Sequence, residues 1–303
     1  MTQRRCGRRT VPTTNESRIL FPKSRITKGE LIDYYQSIAS HMLPYMRDRL
    51  VTMHRFPEGI NGEGFYQKNA SAYFPSWIRT KRVRKEEGGV VSYVICNDEA
   101  TLVYLANQAC ITPHLWLSRV DKLDYPDRMI FDLDPSSGKS FASVLKLAGE
   151  LKVILEDIGL TPYAMLTGSR GVHVVVPLKR TNSFDVVRAF ARDVGQLVVE
   201  KYPKIATMEA RKSKRRGRVF IDVLRNAYGQ TAVAPYAVRA HEGAPVATPV
   251  TWRELLQGRI TSQQYTIKTI GRRLARINDP WHAMKQHAST LRGPRKRLDA
   301  QYT

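Results

Sequence analysis

Apolar residues recur along this chain in two rhythms, one near 3.6 and one near 2, and their alternation lays out the elements. "SFASVLKLAGELKVILEDIG" carries its apolar residues at helical spacing, with Ser140 as the expected N-cap and Gly159 as the close. A second helix is expected from Thr27, where Thr27 and Glu30 form a T-x-x-E capping box ahead of "LIDYYQSIASHML". Asp98 caps a third that runs to about Gln108, and a fourth covers about 183–201. β-Branched, partly alternating runs predict strands at 49–56, 90–96, 114–119, 128–134, 162–167, 172–177 and 219–224. The short Gly-containing connection between 162–167 and 172–177 predicts an antiparallel hairpin. The pattern is therefore α+β, with helices packed on a mostly antiparallel sheet. Residues 1–13 are expected as a flexible basic arm. The last 50 are expected to be helical, ending in a frayed basic tail over 288–303.

Composition narrows the class. No apolar run approaches the roughly 18 residues that span a bilayer. Arg4-Arg5 and Arg8-Arg9 are not followed by the apolar stretch of an export signal, so a cytoplasmic, nucleoid-associated protein is expected. Three scattered cysteines, Cys6, Cys96 and Cys110, make neither a zinc spacing nor a disulfide framework, so any metal must be held mainly by oxygen. Lys and Arg total 49 against 27 Asp and Glu, a formal charge of +22. That excess points to a polyanion, and nucleic acid fits better than a membrane surface because no amphipathic helix has a clean apolar face with a basic rim.

The candidate chemistry begins at "DRMIFDLDPSSGKSF", where two aspartates interrupt an apolar strand. Side chains two apart on a strand share a face, so Asp132 and Asp134 aim together. Asp222 in "VFIDVL" is a third lone carboxylate among apolar neighbours. Converging carboxylates repel unless neutralised, and Mg2+ or Mn2+ are the hard cations suited to oxygen donors. Two such ions, about 3.5–4 Å apart, are a known arrangement for phosphoryl transfer. The alternative is a strand-end aspartate followed by a turn at Asp134-Pro135. "LTGSRGVHVVVPL" shifts the balance: Gly168 and Gly171 permit close backbone approach, while Ser169, Arg170 and His173 offer donors to phosphate oxygens. A Ser169–His173 nucleophile pair lacks both a G-x-S-x-G elbow and a placed third acid. Arg225, Asn226, Gln230 and Arg239 follow as further donors. Acids for metal and a ring of donors suggest a metal-bound nucleoside triphosphate. "IFDLDP" also resembles the first motif of haloacid-dehalogenase-type phosphatases. Here Pro135-Ser136 replace that family's Gly and Thr, its late paired acids are missing, and the charge suits a small metabolite poorly.

The chain resembles the polymerase domain of bacterial ligase D, in the archaeo-eukaryotic primase superfamily. "RILFPKSRITKGELIDYY", "RFPEGINGEGFYQKN", "HLWLSRVDKLDYPDRMIFDLDPS", "GSRGVHVVVPL" and "IDVLRNAYGQTAVAPYAVR" stand in family order from about residue 14 to beyond 250. The resemblance implies a primase-type fold with an RRM-like catalytic module (about 116–287) and an N-terminal α/β module (about 14–115), together one catalytic domain over 14–287. It implies templated addition of NTP or dNTP at gaps and broken DNA ends in non-homologous end joining, with two ions held by Asp132, Asp134 and Asp222. Ser169, Arg170, Gly171, His173 and Arg239 are implied at the triphosphate, with Arg225 and His114 nearby, and Gln230 or Asn226 at the ribose 2′-hydroxyl. Asn15, Arg18 and Lys28 match a pocket for the 5′-phosphate across a gap; Arg18 stands where lysine is common. Phe65 and Tyr66 match a pair that stacks on the template, with core packing as their alternative. His54 falls where a lysine is common, which makes a phosphate contact there pH-sensitive or absent, and Arg55 is the safer contact. A Ku-type end-binding protein and a separate DNA ligase are implied partners. No K-x-D-G adenylation motif is present, and a phosphoesterase module is missing; Met1 and the basic arm favour a free-standing polymerase. The remaining alternative is a non-catalytic module that binds and bridges 5′-phosphorylated ends. "RKSKRRGR" (211–218) and the basic tail read as non-specific phosphate contacts or as solubilising charge.

Overall fold

A computed structural model describes residues 1–84, 88–136, 141–257 and 259–302. The chain forms two compact units: Met1–Asp121 with Thr231–Ala247 and Tyr265–Ile277, and Lys122–Gln230 with Thr248–Gln264 and Asn278–Thr303. Each has its own sheet, and the fold is α+β. No helix among the described residues is long and apolar enough to cross a membrane.

The first unit is built on a sheet in the order Thr231–Val233, Cys110–Trp116, Leu50–Arg55, Val90–Ile95, Thr80–Arg84, with Phe65–Gln67 also pairing Leu50–Arg55. The helices Lys28–Met46 and Glu99–Asn107 pack on each other beside it. Both expected caps form. Thr27 Oγ1 accepts the Glu30 N–H while Glu30 Oε2 accepts the Thr27 N–H at 2.8 Å, and Asp98 Oδ1 accepts the Thr101 N–H at 2.8 Å.

Residues 1–13 depart from the flexible arm expected of them. Thr2–Cys6 and Arg9–Thr13 pair as an antiparallel hairpin in full register from Thr2↔Thr13 to Cys6↔Arg9. Its charge masks a period-two pattern: Cys6, Val11 and Thr13 are buried between exposed arginines. Gly7 turns the hairpin at φ +58°, a conformation glycine adopts without strain.

The second unit carries six strands in the order Ala206–Thr207, Val219–Asp222, Arg128–Asp134, Val172–Pro177, Tyr163–Leu166, Thr248–Val250. All pair antiparallel except Ala206–Thr207 with Val219–Asp222. The hairpin expected at 162–177 is present. Helix Phe141–Asp157 ends as foreseen: Gly159 sits at φ +82°, its N–H donates to Glu156 O, and the Leu160 N–H reaches back to Leu155 O, both at 2.8 Å. Its expected cap, Ser140, lies outside the described residues. Helix Phe184–Lys201 covers the sheet face that carries Leu133 and Ile221: a Cβ placed on Gly195 would lie 3.6 Å from Ile221 Cγ2.

From Trp252 onward the described residues hold a 3-10 turn at Met284–His287 and the short helices Trp252–Leu256, Ile270–Leu274 and Arg292–Tyr302, separated by irregular chain. The last of these replaces the frayed tail. Leu298 is buried, Arg295 stacks 5.0 Å over the Phe190 ring and pairs with Asp193, and Arg297 donates to Ile158 O at 2.7 Å. Two arginines expected to meet phosphate are thus used on the protein itself.

Candidate active site

Cross-strand register gathers the carboxylates. Asp132 lies in the centre of the second sheet, opposite Asp222 on one neighbouring strand and His173 on the other. Partners in register share a face, so Asp222, Asp132 and His173 form a transverse row. Asp134 follows two residues on, opposite Phe220. Helix Phe184–Lys201 lies against the other face, which leaves this row on the sheet surface it does not cover.

The row is electrostatically strained. Burial first, and the charge of Asp132 second, push the Asp222 carboxyl above its usual range. Arg225 offsets part of this, its Nε 3.6 Å from Asp132 Oδ2 and 3.5 Å from Asp222 Oδ2. Asp222 Oδ1 also accepts the Leu224 N–H at 2.8 Å, which ends the strand at Asp222 and starts the 3-10 turn Leu224–Asn226. His173 is buried, with Nε2 3.5 Å from Asp132 Oδ1, and its Nδ1 has no hydrogen-bond partner among the described residues.

Asp134 is held differently. Arg170 Nη2 donates to Oδ1 and Arg215 Nη1 to Oδ2, each at 2.9 Å. Arg215 is the one buried residue of the basic run 211–218. It stacks 4.3 Å over Phe220 and also donates to the carbonyls of Glu209 and Ala210. Nothing in "RKSKRRGR" separates Arg215 from its exposed neighbours, so sequence reasoning missed it.

The loop carrying Ser169 and Arg170 is braced from within. Thr167 Oγ1 accepts the N–H groups of Ser169 and Gly171 and donates to Gly171 O at 3.0 Å. Ser262 and Gln263 donate to Ser169 O at 2.8 and 3.0 Å. Gly171 is required sterically: a Cβ there would lie 2.0 Å from Leu133 O.

Three further residues expected near the nucleotide have these surroundings. Asn226 is fully buried; its Nδ2 donates to Ile130 O and Val223 O, and its Oδ1 accepts the Ile130 N–H at 2.8 Å. Both donors are spent on the backbone beside Asp132, so Asn226 is a structural pin and not a sensor of the ribose. His114 lies in the first sheet, on a strand paired with Leu50–Arg55 and Thr231–Val233. Gln230 is exposed at the end of the turn after Asn226.

The first unit holds the other expected residues in two groups. His54 stacks on its cross-strand partner Tyr66, with ring centroids 4.1 Å apart, and His114 meets the Tyr66 ring edge-on at 5.5 Å. Burial first, and the positive charge of Arg239 second, push His54 down to about 4, so it is uncharged at neutral pH. Phe65 and Tyr66 are 44% and 58% exposed, which rules out core packing for both. Arg55 braces this strand pair, donating to Gln108 O and Gln67 Oε1 at 2.7 Å and lying 5.5 Å over Phe65. In the second group the Arg18 N–H donates to Asn15 O, and the Lys28 N–H to Arg18 O at 2.8 Å. Lys28 Nζ donates to Asn107 O at 3.0 Å, and Arg18 Nη1 pairs with Glu58 at 2.9 Å.

The donor set in the second unit suits a hard divalent cation. Two carboxylates stand side by side with a third on the same face, all ligand atoms are oxygen, and burial with the mutual repulsion of the pair raises Asp222 even with Arg225 beside it. Among the described residues no three candidate ligands already close around one point, and both oxygens of Asp134 face arginine.

Comparison with known proteins identifies the family. The family described as "LigD, primase-polymerase domain" matches residues 27–281. The chain is 34% identical over 247 residues to the multifunctional non-homologous end joining protein LigD of Mycolicibacterium smegmatis, covering 81% of this chain and 32% of that protein. It is 30% identical over 269 residues to the bifunctional LigD of Bacillus subtilis, covering 88% and 43%. The chain thus spans well under half the length of these relatives. The solved polymerase domain of Mycobacterium tuberculosis ligase D, in complex with DNA, superposes with a TM-score of 0.86 at 29% identity, covering 92% of this chain and 99% of that one. The phosphatase alternative falls away with these matches. This chain belongs to the LigD primase-polymerase domain family.

Proposed function

We propose that the chain is a metal-dependent, templated nucleotidyltransferase that fills gaps and extends 3′ ends of broken DNA during non-homologous end joining. The observation that carries the reading is the row Asp222–Asp132–His173. Burying two like charges side by side costs stability, and a protein that only bound DNA ends would gain nothing from it.

Asp132, Asp222 and Asp134 would hold magnesium or manganese. Bound there, the ions supply Lewis acidity, polarising phosphoryl oxygen and easing deprotonation of a hydroxyl. The rest is work for the chain's own groups. Arg170 and His173, beside Asp134 and Asp132, and Ser169 on the same loop would be donors for triphosphate oxygens, and Arg225 adds a positive charge 3.5 Å from Asp222. For Arg170 this means exchanging Asp134 for the triphosphate, two acceptors of the same charge sign. Phe65 and Tyr66 offer exposed rings to template bases, each stack worth about 1–3 kcal/mol. Asn15, Arg18 and Lys28 take the 5′-phosphate across the gap. The DNA named with the mycobacterial polymerase domain and the charge of +22 both suit this substrate. NTP or dNTP, a Ku-type protein and a separate ligase complete the proposed partners.

The test is single-nucleotide addition on a short gapped duplex, with and without a downstream 5′-phosphate, in magnesium, in manganese and in chelator. Metal-dependent addition stimulated by the phosphate supports the reading. Tight end binding without addition in either metal makes the chain an end-bridging module.

A further inference from the structure

The hairpin Thr2–Thr13 precedes the matched family span, which begins at residue 27. It nevertheless reaches the group proposed to take the 5′-phosphate. Arg4 donates Nε to Glu16 Oε1 at 2.9 Å and Nη2 to Glu16 Oε2 at 2.7 Å, a two-point fork on one carboxylate. Thr13 Oγ1, on the second strand of the hairpin, also donates to Glu16. The remaining Arg4 nitrogen, Nη1, bonds the exposed Asp33.

Glu16 sits within the turn that carries Asn15 and Arg18. Its backbone carbonyl accepts the Gly29 N–H at 2.8 Å, and its side chain lies along Gly29, where an added Cβ would be 3.5 Å from Oε2. The next residue back is Lys28, almost fully buried at 6% exposure; burial first and the charge of Arg18 second lower its pKa, and Glu16 raises it. Asn107 closes the arrangement: its carbonyl takes Lys28 Nζ, its Oδ1 takes the Thr14 N–H at 3.0 Å, and its Nδ2 donates to Pro12 O. A carboxylate beside a lysine competes with phosphate for the same ammonium. Here that carboxylate is turned onto Arg4, which holds it down to about 2 and keeps it ionised on the arginine.

We propose that Arg4 is a positioning residue for the phosphate pocket: by sequestering Glu16 it leaves the charge of Lys28 available to a terminal phosphate on DNA. The hairpin thereby sets specificity without touching the ligand, and Glu16 is the competitor it restrains. The inference rests on the reading of Asn15, Arg18 and Lys28 as that pocket.

Fluorescence anisotropy with a recessed duplex end, bearing either a 5′-phosphate or a 5′-hydroxyl, gives the affinity ratio for four proteins: wild type, Arg4→Ala, Glu16→Gln and Arg4→Ala/Glu16→Gln. Wild type should prefer the phosphate about tenfold, the worth of one charge-assisted hydrogen bond. Arg4→Ala should bring the ratio close to one while affinity for the hydroxyl end stays within about twofold, since a rim charge adds little to non-specific binding. Glu16→Gln should keep the preference, and the double variant should regain it, because glutamine no longer competes. A double variant as indifferent as Arg4→Ala makes Arg4 a mere brace and overturns the inference, as does an unchanged ratio in Arg4→Ala. If Arg4→Ala does not fold, Arg4→Gln with and without Glu16→Gln carries the same comparison. Wild type indifferent to the phosphate sinks the pocket itself, an outcome visible before any variant is made.

Discussion

Asp132 and Asp222 face each other across an antiparallel strand pair, with Arg225 3.6 and 3.5 Å from one oxygen of each. Two carboxylates in register on one face repel, which raises the Asp222 carboxyl, and the divalent cation proposed for this site would offset that repulsion. This pair ties the fold to the proposed chemistry.

The strain has a measurable side. Because the folded protein disfavours ionised Asp222, Asp222→Asn should stabilise it while abolishing nucleotide addition; the amide oxygen still accepts the Leu224 N–H. A rise of about 2 °C in melting temperature is expected, the shift of roughly 1 kcal/mol in a domain of this size. A fall in stability would show that Asp222 is already well compensated.

Asn226→Ala should act in the opposite direction. It leaves the buried N–H and C=O of Ile130 without their side-chain partner, at a cost of about 3 kcal/mol. Urea unfolding measures it, and a loss of a few tenths would return Asn226 to the list of nucleotide contacts.

Gly171→Ala tests the brace under Ser169 and Arg170. The added Cβ meets the Leu133 carbonyl, backbone that cannot turn aside, so a loss of about 3 kcal/mol is expected together with displacement of the loop. An unaltered urea midpoint would contradict this.

His54 supplies a pH signature. Its folded value of about 4 lies below the ordinary 6.5, so between these values the unfolded chain binds more protons. The stability it contributes is whole above pH 6.5 and is lost as pH falls toward 4. Its ring carbon resonance should titrate near 4; a midpoint near 6.5 would return a charge to that position and revive a phosphate contact.

Much of this was legible in the chain because it rests on local spacing. Asp132 and Asp134 share a face by the pleat alone, Thr27 and Glu30 announce a helix start, and Gly159 announces an end. What stayed hidden depends on long-range partners. Arg215 is set apart from the other arginines of its run by contacts the local sequence does not show, among them one with Asp134, 81 residues away. Asn226 looks like any polar turn residue until Ile130, 96 residues back, is found within its reach. The N-terminal hairpin is concealed by its own arginines, since its inward positions are too few to outweigh the basic composition.

The most direct test of the central claim separates binding from chemistry at the carboxylates. Wild type, Asp132→Asn and Asp222→Asn are compared for single-nucleotide addition to a gapped duplex in manganese and for affinity to the same duplex. The account predicts addition by wild type alone, reduced at least about a thousandfold in each variant, as expected when a metal site of this kind is lost, with affinity for the duplex unchanged within about twofold. Variants that still add nucleotides at near the wild-type rate would contradict it and move the chemistry away from this row.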